Sequence, residues 1–272
     1  MYTQVKELGN KLDSNQDREQ VREALNWISS LNFRSQQARH RASMEPHTGA
    51  WFLRSQNFES WVEQPSQTLF CPGIPGAGKT MMAAAVVNHL ESKVVDPHLG
   101  NNLAYVFCDY KDEKAQSVDQ IFGSLLQQLI QNNHELAGPL VALHEVHAEK
   151  KSFPSVEEIA GVVQSVISTQ TAIYIVVDAI DECPLKDRKR RQLLSTLLNM
   201  HTKTDALHLL VTSRFSPDVV ETFKDIPSSE IKAHTDDLRR YVQGRFEDFK
   251  ARLSDDWRVK VEEAIVSSTN GM

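Results

Sequence analysis

The sequence predicts an α/β fold of three layers, a mostly parallel sheet covered by helices on both faces and flanked by N-terminal and C-terminal helical segments. Three observations lead there. Short, continuously apolar runs (TLFC, NLAYVFCDY, AIYIVVD, LHLLVT) alternate with longer stretches of helical period, as a parallel sheet buried on both sides requires. A glycine-rich turn, GIPGAGKT, separates the first of these runs from a helical stretch. Another run, IYIVVD, ends abruptly in acidic residues.

Taken in order, residues 1–31 read as helical, with Val21, Leu25 and Ile28 at helical spacing between charges. The following NFRSQQARHRASMEPHTGA has no clean period and contains Pro46 and Gly49, so a linker or extended arm is expected. WFLRSQNFESWVEQ brings Trp51, Phe58 and Trp61 close together and predicts a short helix whose aromatics belong to the core. From Thr68 the alternation begins: strand TLFC, helix MMAAAVVNHLE, strand NLAYVFCDY, then a helix with Ile121, Leu125 and Leu129 on one face. Helices are expected around 136–149 and 155–168, then strand AIYIVVD, a polar helix around 189–200 and strand LHLLVT. Beyond Pro227 the chain reads as helical and polar. The expected division is an N-terminal helical region and linker (1–48), a core (49–228) and the beginning of a further helical domain (229–272), cut short.

Composition narrows the function. A net charge of −6 and a pI of about 5.9 argue against broad nucleic-acid affinity, which needs clustered basic residues. No stretch approaches the roughly 18 apolar residues of a membrane span, and MYTQVKELGNKLDSNQ lacks the apolar centre of a secretory signal. Cys71, Cys108 and Cys183 are odd in number and widely spaced, which fits core thiols in a reducing compartment. A cytoplasmic protein is expected.

GIPGAGKT matches the spacing G-x-x-x-x-G-K-[ST]. Glycines let successive backbone N–H groups converge on an anion, and the following helix turns its positive end to the same point. Gly73, Ile74, Pro75, Gly76, Ala77, Gly78, Lys79 and Thr80 are therefore candidates to hold a nucleotide's phosphates. Lys79 would reach the β- and γ-phosphates and the Thr80 hydroxyl would ligate Mg²⁺. Pro75 stiffens the loop if its nitrogen faces away from the phosphate. The partner carboxylate comes from IYIVVDAIDEC, where Asp178 leaves the sheet. Mg²⁺ keeps several waters, so Asp178 with Thr80 suffices. Asp181 and Glu182 follow, and either could position or deprotonate an attacking water, with Glu182 favoured. In LHLLVTSRF, Arg214 stands at a strand end and could sense or stabilise a γ-phosphate.

These segments together resemble the NACHT subgroup of STAND P-loop NTPases, particularly the nephrocystin-like N-terminal NTPase domain of fungal NOD-like receptors. TGAWFLRSQNFESWV, GIPGAGKT, AYVFCDYKDE, VVDAIDEC and LLVTSR carry the resemblance, which spans roughly residues 32–237. Ala179 after the metal aspartate, followed by a second acidic pair, is similar to the NACHT signature; an AAA-type ATPase would place glutamate directly after Asp178. The resemblance implies phosphate binding by Gly73, Gly76, Gly78, Lys79 and Thr80, metal and water work by Asp178, Asp181 and Glu182, and a sensor role for Arg214. It also implies a signalling switch of innate immunity, with effector and repeat domains outside this chain and self-oligomerisation. No proline after Pro227 is present to contact the base as in the family, and NGM reads like an interrupted segment. A fragment, a truncated gene model or a degenerate member is expected.

An N-K-x-D segment is missing, which tilts the base choice to ATP with GTP still open. The leading expectation is a nucleotide switch with slow hydrolysis. The alternatives are a P-loop kinase or AAA-type ATPase with its own substrate, or a degenerate nucleotide-binding scaffold. KDRKRR at 186–191 reads as a solvated helix start, and His144 and His147 of HEVH, lacking zinc-protease spacing, read as surface residues.

Overall fold

Residues 17–96, 99–110, 116–183, 187–248 and 255–269 are described by the structure, a computed structural model. The four apolar runs become strands β1 (Thr68–Pro72), β2 (Asn101–Phe107), β3 (Ala172–Asp178) and β4 (Leu207–Ser213), almost every residue of them buried. They pair in parallel in the order β1-β4-β3-β2. Register sets Cys71 beside Thr212, Pro72 beside Ser213 and Phe107 beside Asp178. All carboxyl ends thus meet at one edge, and β4 lies between β1 and β3. At about 4.8 Å per strand spacing, the tips of β1 and β3 stand about 10 Å apart.

Twelve helices are described: α1 (17–28), α2 (Phe33–Ala42), α3 (Ala50–Leu53), α4 (Gln56–Glu63), α5 (Lys79–Lys93), α6 (Val118–Asn132), α7 (Gly138–Lys150), α8 (Val156–Ile167), α9 (Asp187–His201), α10 (Pro217–Thr222), α11 (Thr235–Asp248) and α12 (Asp255–Thr269). The chain crosses from β1 to β2 in one direction and steps back through β3 to β4 in the other. Right-handed crossovers then put α5 on one face and the α6–α9 group on the opposite one. The helix α5 packs on β2, β3 and β4, with α2 and α3 laid over it. Among the described residues no helix is long and apolar enough to cross a membrane.

Both sheet edges are closed, which removes unpaired strand backbone. Outside β1, the segment 227–231 pairs in parallel: Phe70 N donates to Pro227 O at 3.0 Å and Ile231 N to Pro72 O at 2.7 Å. Outside β2, side chains substitute for a strand. Gln128 of α6 accepts from Tyr105 N at 3.1 Å and donates back to Tyr105 O at 2.9 Å, and Gln116 donates to Phe107 O at 3.1 Å.

Several expectations need correction. The segment expected to be a linker contains α2, capped by the Asn32 carboxamide, which accepts from Ser35 N at 2.9 Å. Only Phe33 and Gln37 of α2 are buried, the latter donating to Ala84 O at 3.0 Å. A helix with so narrow a buried face leaves no period to read. The aromatic segment makes two short helices, because Ser55 caps α4 with a bond from Phe58 N at 3.3 Å. Beyond Pro227 an edge ribbon precedes the helices. His147 is buried, its Nδ1 2.8 Å from Ser152 Oγ and its ring beside Trp27. The three cysteines are buried and none forms a disulfide. Residues 1–16, 270–272 and the KDE of AYVFCDYKDE lie outside the described residues.

Candidate functional site

The glycine loop runs from the end of β1 into α5. Gly76 (φ +82°) and Gly78 (φ +90°) are left-handed, a conformation that disfavours any side chain. A Cβ at either would meet no atom within 4 Å, so the loop is open on that side. Gly73 is small for another reason: its Cβ would lie 2.5 Å from Ile231 O, where the edge ribbon crosses the loop. The loop is closed by its own groups. Ala77 N donates to Ile74 O at 3.2 Å, and the Lys79 ammonium donates to Gly73 O at 2.8 Å and Ile74 O at 2.9 Å. Burial lowers the Lys79 pKa; the nearby Asp181, Asp178 and Glu182 carboxylates oppose that, and Arg214 adds to it.

Across β4 stands Asp178, 1% exposed. Its Oδ1 accepts from Thr212 Oγ1 at 2.6 Å, and the Thr80 hydroxyl bonds the same carboxylate. Burial raises its pKa to about 6, against the two hydroxyls and the Lys79 charge, which pull it down. Thr212 Oγ1 in turn accepts from Ala179 N at 2.8 Å. Ala179 is left-handed (φ +51°), and its small side chain eases the turn that leads into a single 3₁₀ turn, Ile180–Glu182. That turn carries the acidic pair. Asp181 Oδ1 accepts from Arg214 N at 2.9 Å and Oδ2 lies 3.3 Å from Arg214 Nε, while Arg214 Nη2 bonds Glu182 Oε1.

Every candidate residue therefore lies at one sheet edge. Thr80 and Asp178 meet directly, and Lys79 feels all three acids. Asp181, Glu182 and Arg214 form one ion cluster, so the Arg214 side chain is turned to carboxylates rather than to the open side of the loop. Three participants had no role in the sequence reading. Thr212 was visible only as a polar strand end. Trp51, expected in the core, is half-buried and stacks on His234 with ring centroids 5.6 Å apart and planes 12° from parallel. Asp237 accepts from Gly49 N at 2.9 Å across 188 residues of sequence. No local signal could pair positions so distant. Together these contacts close a cleft of about 410 Å³ beside the loop, lined by Trp51, Gly76, Gly78, Met81, His234 and Tyr241 among others. That volume falls in the usual range for small-molecule sites.

The parallel sheet, the glycine loop at the tip of β1 and the buried carboxylate two strands away define a domain of the P-loop NTPase class. Within that class the chain belongs to the family described as Nephrocystin 3, N-terminal, whose model matches residues 47–214. No curated protein matches it. Among solved structures it is similar to the Aeropyrum pernix ORC1 protein in complex with DNA (17% identity, 75% of this chain and 50% of that one, TM-score 0.48). A Walker-type ATPase of Pyrococcus abyssi (13% identity, 77% and 60%, TM-score 0.49) is a second. AMPPCP-bound DnaA from Aquifex aeolicus (12% identity, 80% and 56%, TM-score 0.42) is a third. The chain spans half to three-fifths of the length of these three.

Proposed function

We propose that this chain binds a nucleoside triphosphate with Mg²⁺, ATP in preference to GTP, and acts as a slowly hydrolysing signalling switch of the NOD-like receptor type. One observation carries the reading: the anion-ready loop and the buried Asp178 carboxylate share an edge, joined through Thr80 and Lys79. The residues fit the implied group. Beyond Gly76 and Gly78 there is open space where phosphate oxygens could approach backbone N–H groups. Asp178 is a fully buried carboxylate whose charge is met by two hydroxyls and the nearby Lys79 ammonium, an arrangement a divalent cation improves. Among the described residues no group of three or more His, Cys, Asp or Glu converges on one point, and Mg²⁺ on phosphates needs only one or two protein ligands.

When bound, the Mg²⁺ nucleotide supplies a phosphoryl group made electrophilic by charge neutralisation. The chain's own residues do the rest. Lys79 exchanges the loop carbonyls for phosphate oxygens, and Thr80 and Asp178 hold the metal. Glu182, with Asp181 beside it, orients a water and takes its proton. Arg214 leaves the acidic pair to meet developing charge on the phosphate. The switch reading is supported by the cleft, whose walls come from the loop, the segment before α3 and the helix α11. A base seated there would touch Trp51 and His234, and so link nucleotide occupancy to the seating of α11 on the core.

Calorimetry with Mg²⁺-ATP and Mg²⁺-GTP tests the proposal. Binding is expected for the wild type and a loss of at least about a hundredfold for Lys79→Ala, which removes the fixed charge on the phosphates. A wild-type protein that binds neither nucleotide ends the proposal.

A further inference from the structure

We propose that Arg190, in the basic run after the acidic turn, is a positioning residue that fixes Asp181 and Glu182 against the loop carrying Arg214, and thereby sets the hydrolysis rate without contributing to nucleotide affinity. This rests on the nucleotide reading above. The run KDRKRR looks like a solvated helix start, and Arg188 and Lys189 are indeed exposed. Arg190 is not; its side chain is 12% exposed.

Its guanidinium spans two elements. Nε and Nη2 donate to Asp218 Oδ2 at 3.2 and 2.8 Å, and Nη1 donates to the Asp181 carbonyl at 3.3 Å. Asp218 is at the start of α10, and its other oxygen accepts from Ser216 Oγ at 2.7 Å. Ser216 N donates to Arg214 O at 2.8 Å, and Arg214 N donates to Asp181 Oδ1. The contacts close a ring: Asp181, Arg214, Ser216, Asp218, Arg190 and back to Asp181. The ring ties the end of β3 to the end of β4. The Ser216 hydroxyl first, and Arg190 after it, hold the Asp218 carboxyl below its ordinary range.

The geometry gives Arg190 and Arg214 different tasks. Arg214 binds the acidic pair by a half-exposed side chain that must let go before Glu182 can face a water. Once it does, Asp181 loses a side-chain partner, and two contacts still hold the turn: the Arg214 N–H on Asp181 Oδ1 and Arg190 on the Asp181 carbonyl. A lysine cannot replace it, since one ammonium lacks the planar fork that reaches Asp218 and the Asp181 carbonyl together.

The test uses the full chain with Arg190→Gln, Arg190→Lys and Asp218→Asn. Mg²⁺-ATP affinity is read by calorimetry, and kcat and KM by phosphate release. Labelling of Cys183, buried at the end of the turn, is followed by mass spectrometry with Cys71 of β1 as the control for overall folding. We expect Kd to stay within about twofold of wild type and kcat to fall by about ten- to a hundredfold, the scale of a displaced reactive group. Cys183 should label faster while Cys71 does not. Arg190→Lys should recover only part of the rate, and Arg190→Gln with Asp218→Asn should be no worse than the poorer single variant. Unchanged kcat overturns the assignment, even with faster Cys183 labelling, because Arg190 is then structural only. Kd weakening in step with kcat overturns it too. A wild type that binds no nucleotide defeats the parent reading instead, which the calorimetry alone reveals.

Discussion

The phosphate loop and the acidic turn stand side by side at one sheet edge and are held in opposite ways. The loop closes mostly on itself: Lys79 reaches Gly73 and Ile74, six and five residues away, while the long-range bond from Gly73 N to Ser213 O at 3.0 Å ties down its first residue. The turn depends on distant chain. Thr212 is 34 residues from Asp178, and Arg214 is 33 from Asp181 and 32 from Glu182. A locally closed motif tolerates change elsewhere in the molecule, whereas a turn held by the end of another strand moves when that strand moves. Affinity should therefore be a property of the loop, and rate a property of the turn.

The largest effect is expected for Glu182→Gln. Phosphate release should fall by about a hundred- to ten-thousandfold, the range for loss of a positioned acid–base group, with calorimetric affinity unchanged. Loss of affinity would mean that the turn also binds.

Next is Asp178→Asn in the presence of a chelator. Burial raises the Asp178 pKa from 3.8 to about 6, so folding favours the protonated acid. Its contribution is fully present below about pH 4 and is lost as pH rises through about 6, a difference of about 3 kcal/mol. Urea unfolding at pH 7.5 should show the asparagine variant more stable than wild type by up to that amount, with the gain vanishing near pH 4. Excess Mg²⁺-ATP should reverse the order, since only wild type gains a metal ligand.

Thr212→Val perturbs the turn from within β4. It leaves Asp178 Oδ1 and Ala179 N without their shared partner, at a cost of about 1–3 kcal/mol by denaturant unfolding. The smallest effect belongs to the loop. Gly78→Ala puts a methyl into open space and should cost only about 1 kcal/mol for its left-handed φ. Gly73→Ala should cost more in the same measurement, because its methyl meets the Ile231 carbonyl rather than solvent.

Much of this molecule was legible from residue order. Apolar runs such as AIYIVVD mark strands, Ile121, Leu125 and Leu129 mark a buried helix face, and GIPGAGKT announces its own backbone. Each is a local signal, a period or a required φ, that needs no distant partner. The acidic tip at Asp178 was legible for the same reason. Folding in three dimensions settled which strand stands between loop and carboxylate, and hence that Thr212 reaches Asp178, that Arg214 folds onto Asp181 and Glu182, and that Trp51, at the rim of the core, stacks on His234. Those pairings follow from strand order and from packing between segments far apart in the chain, and neither leaves a mark in any short stretch of sequence.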